Sequence, residues 1–92
     1  MNILETLKTH KNEIKQRFRI KKIGIFGSYA RNEQTASSDI DILVDFEDPN
    51  FDTFIDLLSY CEELFDKSVD LITATGLSPH IKPYMEKEII WV

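Results

Sequence analysis

The chain has 92 residues, with 16 acidic and 11 basic side chains and a formal net charge of −5; 42% of its residues are apolar and 29% charged. That is enough chain for one small globular domain with its own core, while the acidic balance argues against non-specific nucleic-acid binding, which needs basic patches to displace counterions. No apolar run approaches a membrane span and no signal-peptide pattern opens the sequence, and the single cysteine, Cys61, permits no intrachain disulfide, so the expectation is one cytoplasmic unit over residues 1–92.

Asn2 followed by Glu5 reads as a capping box, and Ile3, Leu7, Ile14 and Phe18 recur at helical spacing. The pattern predicts an amphipathic helix over residues 3–17, with Lys8, Lys11, Lys15 and Arg17 on a solvated face, some of them alternatively touching the triphosphate or a partner, and His10 in a structural or solvent-facing role. Residues 21–26 read as a strand, apolar on both faces around Gly24, as a covered central strand should be. Gly27 permits a tight turn, and Ser28 is the expected N-cap of a short helix running to Arg31. Amides at such a helix start form an anion site. A polar loop follows from Asn32 to Ser38.

The second strand is expected from about Asp39 to Phe46. Side chains alternate along a strand, so Asp39 and Asp41 share one face while Ile40, Ile42, Val44 and Phe46 share the buried one. Two carboxylates side by side repel, and a divalent cation between them is the simplest remedy. Asp45 has the same parity but lies too far along to join them, and is read as solvent-facing. Asp48-Pro49-Asn50 signals a turn and helix start. Phe51, Phe54, Ile55, Leu58, Cys61, Leu64 and Phe65 then trace the expected buried stripe of a second long helix, with Cys61 a packed core thiol. Residues 67–73 read as a third strand, with Asp70 facing away from Val69 and Leu71. Ser78-Pro79 is read as a cap followed by a first-turn proline, with regular helix from Pro83 to Glu88 and a terminal strand within residues 89–92.

Gly27-Ser28, ten intervening residues, then Asp39-x-Asp41, together with Gly-Ser-x-Ala-Arg-x-Glu, the tract from Ser38 to Val44 and Val69-Asp70-Leu71-Ile72, carry a resemblance over nearly the whole chain. The sequence resembles the DNA-polymerase-beta-like nucleotidyltransferases, and within them the minimal nucleotidyltransferases (MNT) that pair with HEPN-domain toxins. Asn32 departs from the pattern, which has Gly after Arg; Asn is among the few residues that reach the left-handed conformation the turn needs.

The resemblance implies an α/β nucleotidyltransferase fold, with a small mixed sheet of three to four strands flanked by helices. It implies a Mg-dependent antitoxin that transfers AMP from ATP to a tyrosine hydroxyl of a cognate HEPN ribonuclease. Asp39, Asp41 and Asp70 are the implied catalytic and metal-holding residues for two magnesium ions, with Asp70 nearer the acceptor hydroxyl and a candidate to receive its proton. Gly27, Ser28 and Arg31 are the candidates for nucleotide binding; Arg31 could equally pair with a partner carboxylate or cover its helix. Two alternatives stand beside this: an antitoxin that neutralises its toxin by contact alone, and a nucleotidyltransferase for a small molecule, although such enzymes usually add a helical domain. No direct nucleic-acid or membrane partner is expected.

Overall fold

The computed structural model describes residues 2–92. The first helix, α1 (Ile3–Phe18), starts where Asn2 Oδ1 accepts the Glu5 N–H at 3.2 Å, and ends at Arg19 in a left-handed conformation (φ 54°). Its buried residues are Ile3, Leu7, Ile14 and Phe18, the stripe that the spacing predicts. Then come β1 (Ile20–Phe26), the short α2 (Gly27–Arg31), β2 (Ile40–Phe46), α3 (Phe51–Phe65), β3 (Val69–Thr73), a 3-10 turn, α4 (Lys82–Glu88) and β4 (Ile90–Trp91).

The four strands form one mixed sheet in the order β3-β2-β1-β4. β1 is antiparallel to both of its neighbours, whereas β2 and β3 are parallel. A parallel pair cannot be closed by a tight turn, and α3 is the crossover that returns the chain. Ile23, Ile40, Ile42 and Val44 are fully buried against Leu7 and Ile14 of α1 and Leu57 and Cys61 of α3. The alternate side chains of β2, Leu43 and Asp45, look the other way, where they line a small concavity with Leu77, Lys82, Glu86 and Trp91. Helices therefore cover both faces of the sheet, as expected of the fold. β4 can approach β1 only because Gly24 has no side chain: a β-carbon there would lie 2.7 Å from the Ile90 carbonyl oxygen.

Three local expectations need correction. The buried residues of α3 are Leu57, Cys61 and Phe65, whereas Phe51 and Ile55 are exposed and Phe54, Leu58 and Leu64 only partly covered. The expected and observed faces share Cys61 and Phe65, and Phe54, Leu58 and Leu64 still pack on the core; the helix is rolled so that Leu57 is enclosed and Phe51 and Ile55 are not, a roll its own sequence does not encode. Cys61 is a core thiol as expected, and burial pushes it up to about 12. Next, the N-cap of α4 is Ile81, not Ser78. Ser78 instead closes a separate turn, its carbonyl accepting from the Ile81 and Lys82 N–H groups at 3.0 Å. Pro83 sets the helix start, because a residue without an N–H is tolerated only in the first turn. Finally, the N-cap of α2 is Phe26, with no side-chain capping hydrogen bond, so Ser28 stands inside the first turn.

A candidate nucleotidyl-transfer site on the β2–β3 edge

The sheet brings together the residues singled out by the sequence. Asp41 pairs with Phe26 on the antiparallel side and with Asp70 on the parallel side. Residues at one register position of neighbouring strands project to the same face, so the two carboxylates stand side by side. Asp39 lies two residues earlier, just before β2, with the same parity. The start of β2 is pinned to its neighbour by the Ile40 N–H donating to the Ser68 carbonyl at 3.1 Å.

Gly27 closes the other flank of Asp41. Its φ of 69° lies in the left-handed region, and a β-carbon there would be driven into the Asp41 carboxylate. The turn from β1 into α2 thus needs glycine twice over, for conformation and for room. α2 ends at Asn32, which adopts the left-handed conformation its position demands (φ 58°, ψ 37°). The following loop is braced by the Thr35 N–H donating to Ser38 Oγ at 2.9 Å, and Lys67 Nζ reaches back to the Ala36 carbonyl at 3.4 Å.

Electrostatics mark Asp41 out. Its carboxyl is raised above the ordinary value, first by burial and then by the negative charges of Asp70 and Asp39, while Arg31 acts in the opposite direction. Arg31 is itself held by two carboxylates. Its Nε donates to Glu33 at 3.2 Å and its Nη1 to Glu88 at 3.3 Å, which ties α2 to the end of α4. Glu88 lies 57 residues from Arg31 along the chain, and no local signal in the sequence marks it as a partner. Asp45 is half-buried at the far end of β2, beside Lys22 and Lys82 rather than with the three aspartates. His10 makes a helix-internal contact, its Nδ1 lying 2.9 Å from the Thr6 carbonyl oxygen. A concavity of about 460 Å³ lies beside α2, between Leu4, Tyr29, Asn32, Gln34 and Ile90; none of the three aspartates lines it.

A magnesium ion suits this arrangement. Among the described residues no three acidic, histidine or cysteine side chains are gathered closely enough to hold a metal ion by themselves. Magnesium, however, retains waters and takes phosphate oxygens as ligands, so one or two protein carboxylates suffice. The mutual repulsion felt at Asp41 is of the sign a cation would relieve.

A small mixed sheet with a glycine turn abutting an Asp-x-Asp strand, and a third aspartate on the parallel neighbour, defines a nucleotidyltransferase. The chain belongs to the nucleotidyltransferase domain family, whose profile matches residues 7–92. It is 45% identical over 92 residues to a Methanocaldococcus jannaschii protein provisionally named protein adenylyltransferase MJ0126, covering 98% of this chain and 94% of the other. It is 42% identical over 87 residues to protein adenylyltransferase MntA of Thermococcus cleftensis, covering 94% and 88%. Among solved structures, one described provisionally as a minimal nucleotidyltransferase superposes with a TM-score of 0.79 at 31% identity, covering 95% and 93%. A Shewanella oneidensis complex of a tri-AMPylated HEPN toxin with its MNT antitoxin gives a TM-score of 0.69 at 22% identity, covering 99% and 71%, a likeness of fold.

Proposed function

We propose that residues 1–92 act as a single-domain protein adenylyltransferase, moving AMP from ATP to a tyrosine hydroxyl of a HEPN-domain ribonuclease and so neutralising it as an antitoxin. The observation that carries this is the setting of Asp41, abutted by Gly27, flanked by Asp39 and paired with Asp70. The relatives named for protein adenylylation support the acceptor class, and the fold shared with an MNT antitoxin supports the partner.

In such a transfer the acceptor oxygen bonds to the α-phosphorus as the bond to pyrophosphate breaks, and the protein chiefly positions groups and offsets charge. Magnesium held by Asp39, Asp41 and Asp70, as two ions, would neutralise the phosphate oxygens and make the acceptor hydroxyl more acidic. Gly27, which leaves the backbone bare beside Asp41, and Ser28 in the next position meet the phosphates. Arg31, whose charge already reaches Asp41, adds a cation on the same side. Asp70, exposed on the edge strand, receives the acceptor's proton.

The test is intact-protein mass spectrometry of the HEPN-domain protein that this reading pairs with the chain, sought first in the neighbouring gene, after incubation with this protein, ATP and magnesium. One or more AMP masses on the partner are expected, and none with Asp70→Asn. An unmodified yet silenced ribonuclease would sink the enzymatic reading in favour of neutralisation by contact.

A further inference from the structure

The roll of α3 onto the sheet leaves an apolar ridge in the open. Phe51 is 75% exposed and Ile55 40% exposed, and four residues apart they lie on one face of the helix. Beside Phe51 runs an open groove of about 400 Å³, lined by Phe46, Pro49, Asn50, Phe54 and Thr73. An exposed phenylalanine beside an apolar concavity is the usual anatomy of a protein contact, with an aromatic anchor and a place to receive one.

Along its own stretch of chain the ridge carries charge of one sign. From Glu47 to Asp66 the sequence holds seven carboxylates of its 16, and no lysine or arginine. Glu47, Asp48, Asp52 and Asp56, all exposed, border the ridge and groove. A second copy of this chain would set these carboxylates against one another, whereas a basic face would pair with them.

The ridge also lies away from the aspartates. α3 runs back along the sheet, so its first turn sits by Phe46, five residues along β2 from Asp41, or roughly 17 Å at ~3.4 Å per residue. An occupant held there leaves the aspartates open.

We propose that the Phe51–Ile55 face of α3 is a docking surface for a protein partner presenting an apolar socket ringed by lysine and arginine, which holds that partner while a separate part of it reaches the aspartates. The identity of the partner rests on the proposed function, and the probe is therefore the HEPN-domain protein that this function pairs with the chain.

The experiment measures its affinity by calorimetry, at two salt concentrations, for the wild-type protein, for F51S/I55S and for D52K/D56K. F51S/I55S is expected to weaken binding tenfold or more. D52K/D56K is expected to weaken it too and to remove most of the salt dependence. Binding of a non-hydrolysable ATP analogue should stay unchanged in both. The charge variant keeps the test decisive if the apolar one folds poorly. Wild-type affinity in both variants overturns the surface and leaves the proposed function standing; no binding by the wild type overturns both. A wild type that self-associates, with monomeric variants, assigns the ridge to a second copy and overturns the basic partner.

Discussion

Asp41 on β2 and Asp70 on β3 occupy one register position of a parallel strand pair, so two carboxylates face the same side of the sheet, the first in the room that Gly27 leaves by having no side chain. Like charges so placed are unfavourable by a few tenths to about 1 kcal/mol, and nothing in the core requires them. They are a cost that folding alone would not retain.

Asp41→Asn is expected to abolish transfer while leaving the metal-free protein at least as stable as the wild type, by up to about 1 kcal/mol in its favour. The sign follows from the raised carboxyl of Asp41. A group whose folded value exceeds its unfolded value of 3.8 favours the fold below 3.8, and that contribution is lost as pH rises through the folded value. Denaturant melts in chelator across pH 3–7 should show this decline in the wild type and a flatter profile in the variant. Asp45→Asn, beside Lys22 and away from the cluster, should transfer normally.

Gly27→Ala and Ser28→Ala should separate sharply. Alanine at φ 69° costs about 1–2 kcal/mol on conformation alone, and its β-carbon must also displace Asp41. Both Tm and transfer should fall. Ser28 caps nothing, so its alanine variant should melt within about 0.5 kcal/mol of wild type while nucleotide affinity drops. A Ser28 variant with lowered Tm and intact affinity would remove it from the phosphate site.

The Arg31–Glu88 pair is partly exposed on both sides, and exposed pairs contribute about 0.2–1 kcal/mol. A double-mutant cycle with Arg31→Gln and Glu88→Gln should give a coupling in that range, shrinking in high salt. Because the charge of Arg31 also acts on the Asp41 carboxyl, Arg31→Gln should impair transfer well beyond Glu88→Gln. Equal loss from the two would assign Arg31 to bracing α4 alone.

The corrected face of α3 makes the last prediction. Leu57→Ala should cost about 2–5 kcal/mol, as a fully buried leucine does. Ile55→Ala, on the exposed side, should stay within about 1 kcal/mol of wild type. Chemical denaturation of the two variants decides which stripe the core uses.

Much of this molecule was legible in the chain. The alternation Asp39-Ile40-Asp41-Ile42 carries its own geometry, because strand parity is a local property. The caps at Asn2 and Asn50 and the left-handed Asn32 are equally local. What could not be read was set by distant partners. Leu57 and Phe51 are interchangeable until the sheet chooses a face, and Arg31 meets Glu88 only after β4 has brought the end of the chain back to β1. Ser28 failed as a cap because the turn is closed by backbone geometry at Gly27.

Cys61 gives the protein a clock. Its thiol is fully enclosed and pushed up to about 12, so an alkylating reagent finds almost no thiolate in the native state. Labelling then proceeds only when α3 leaves the sheet. Because this is the single sulfhydryl of the chain, the fraction of molecules labelled with time reports the opening of this one site, with no engineered label. A partner that clasps the outer face of the same helix would slow that clock, and how much it slows measures the grip.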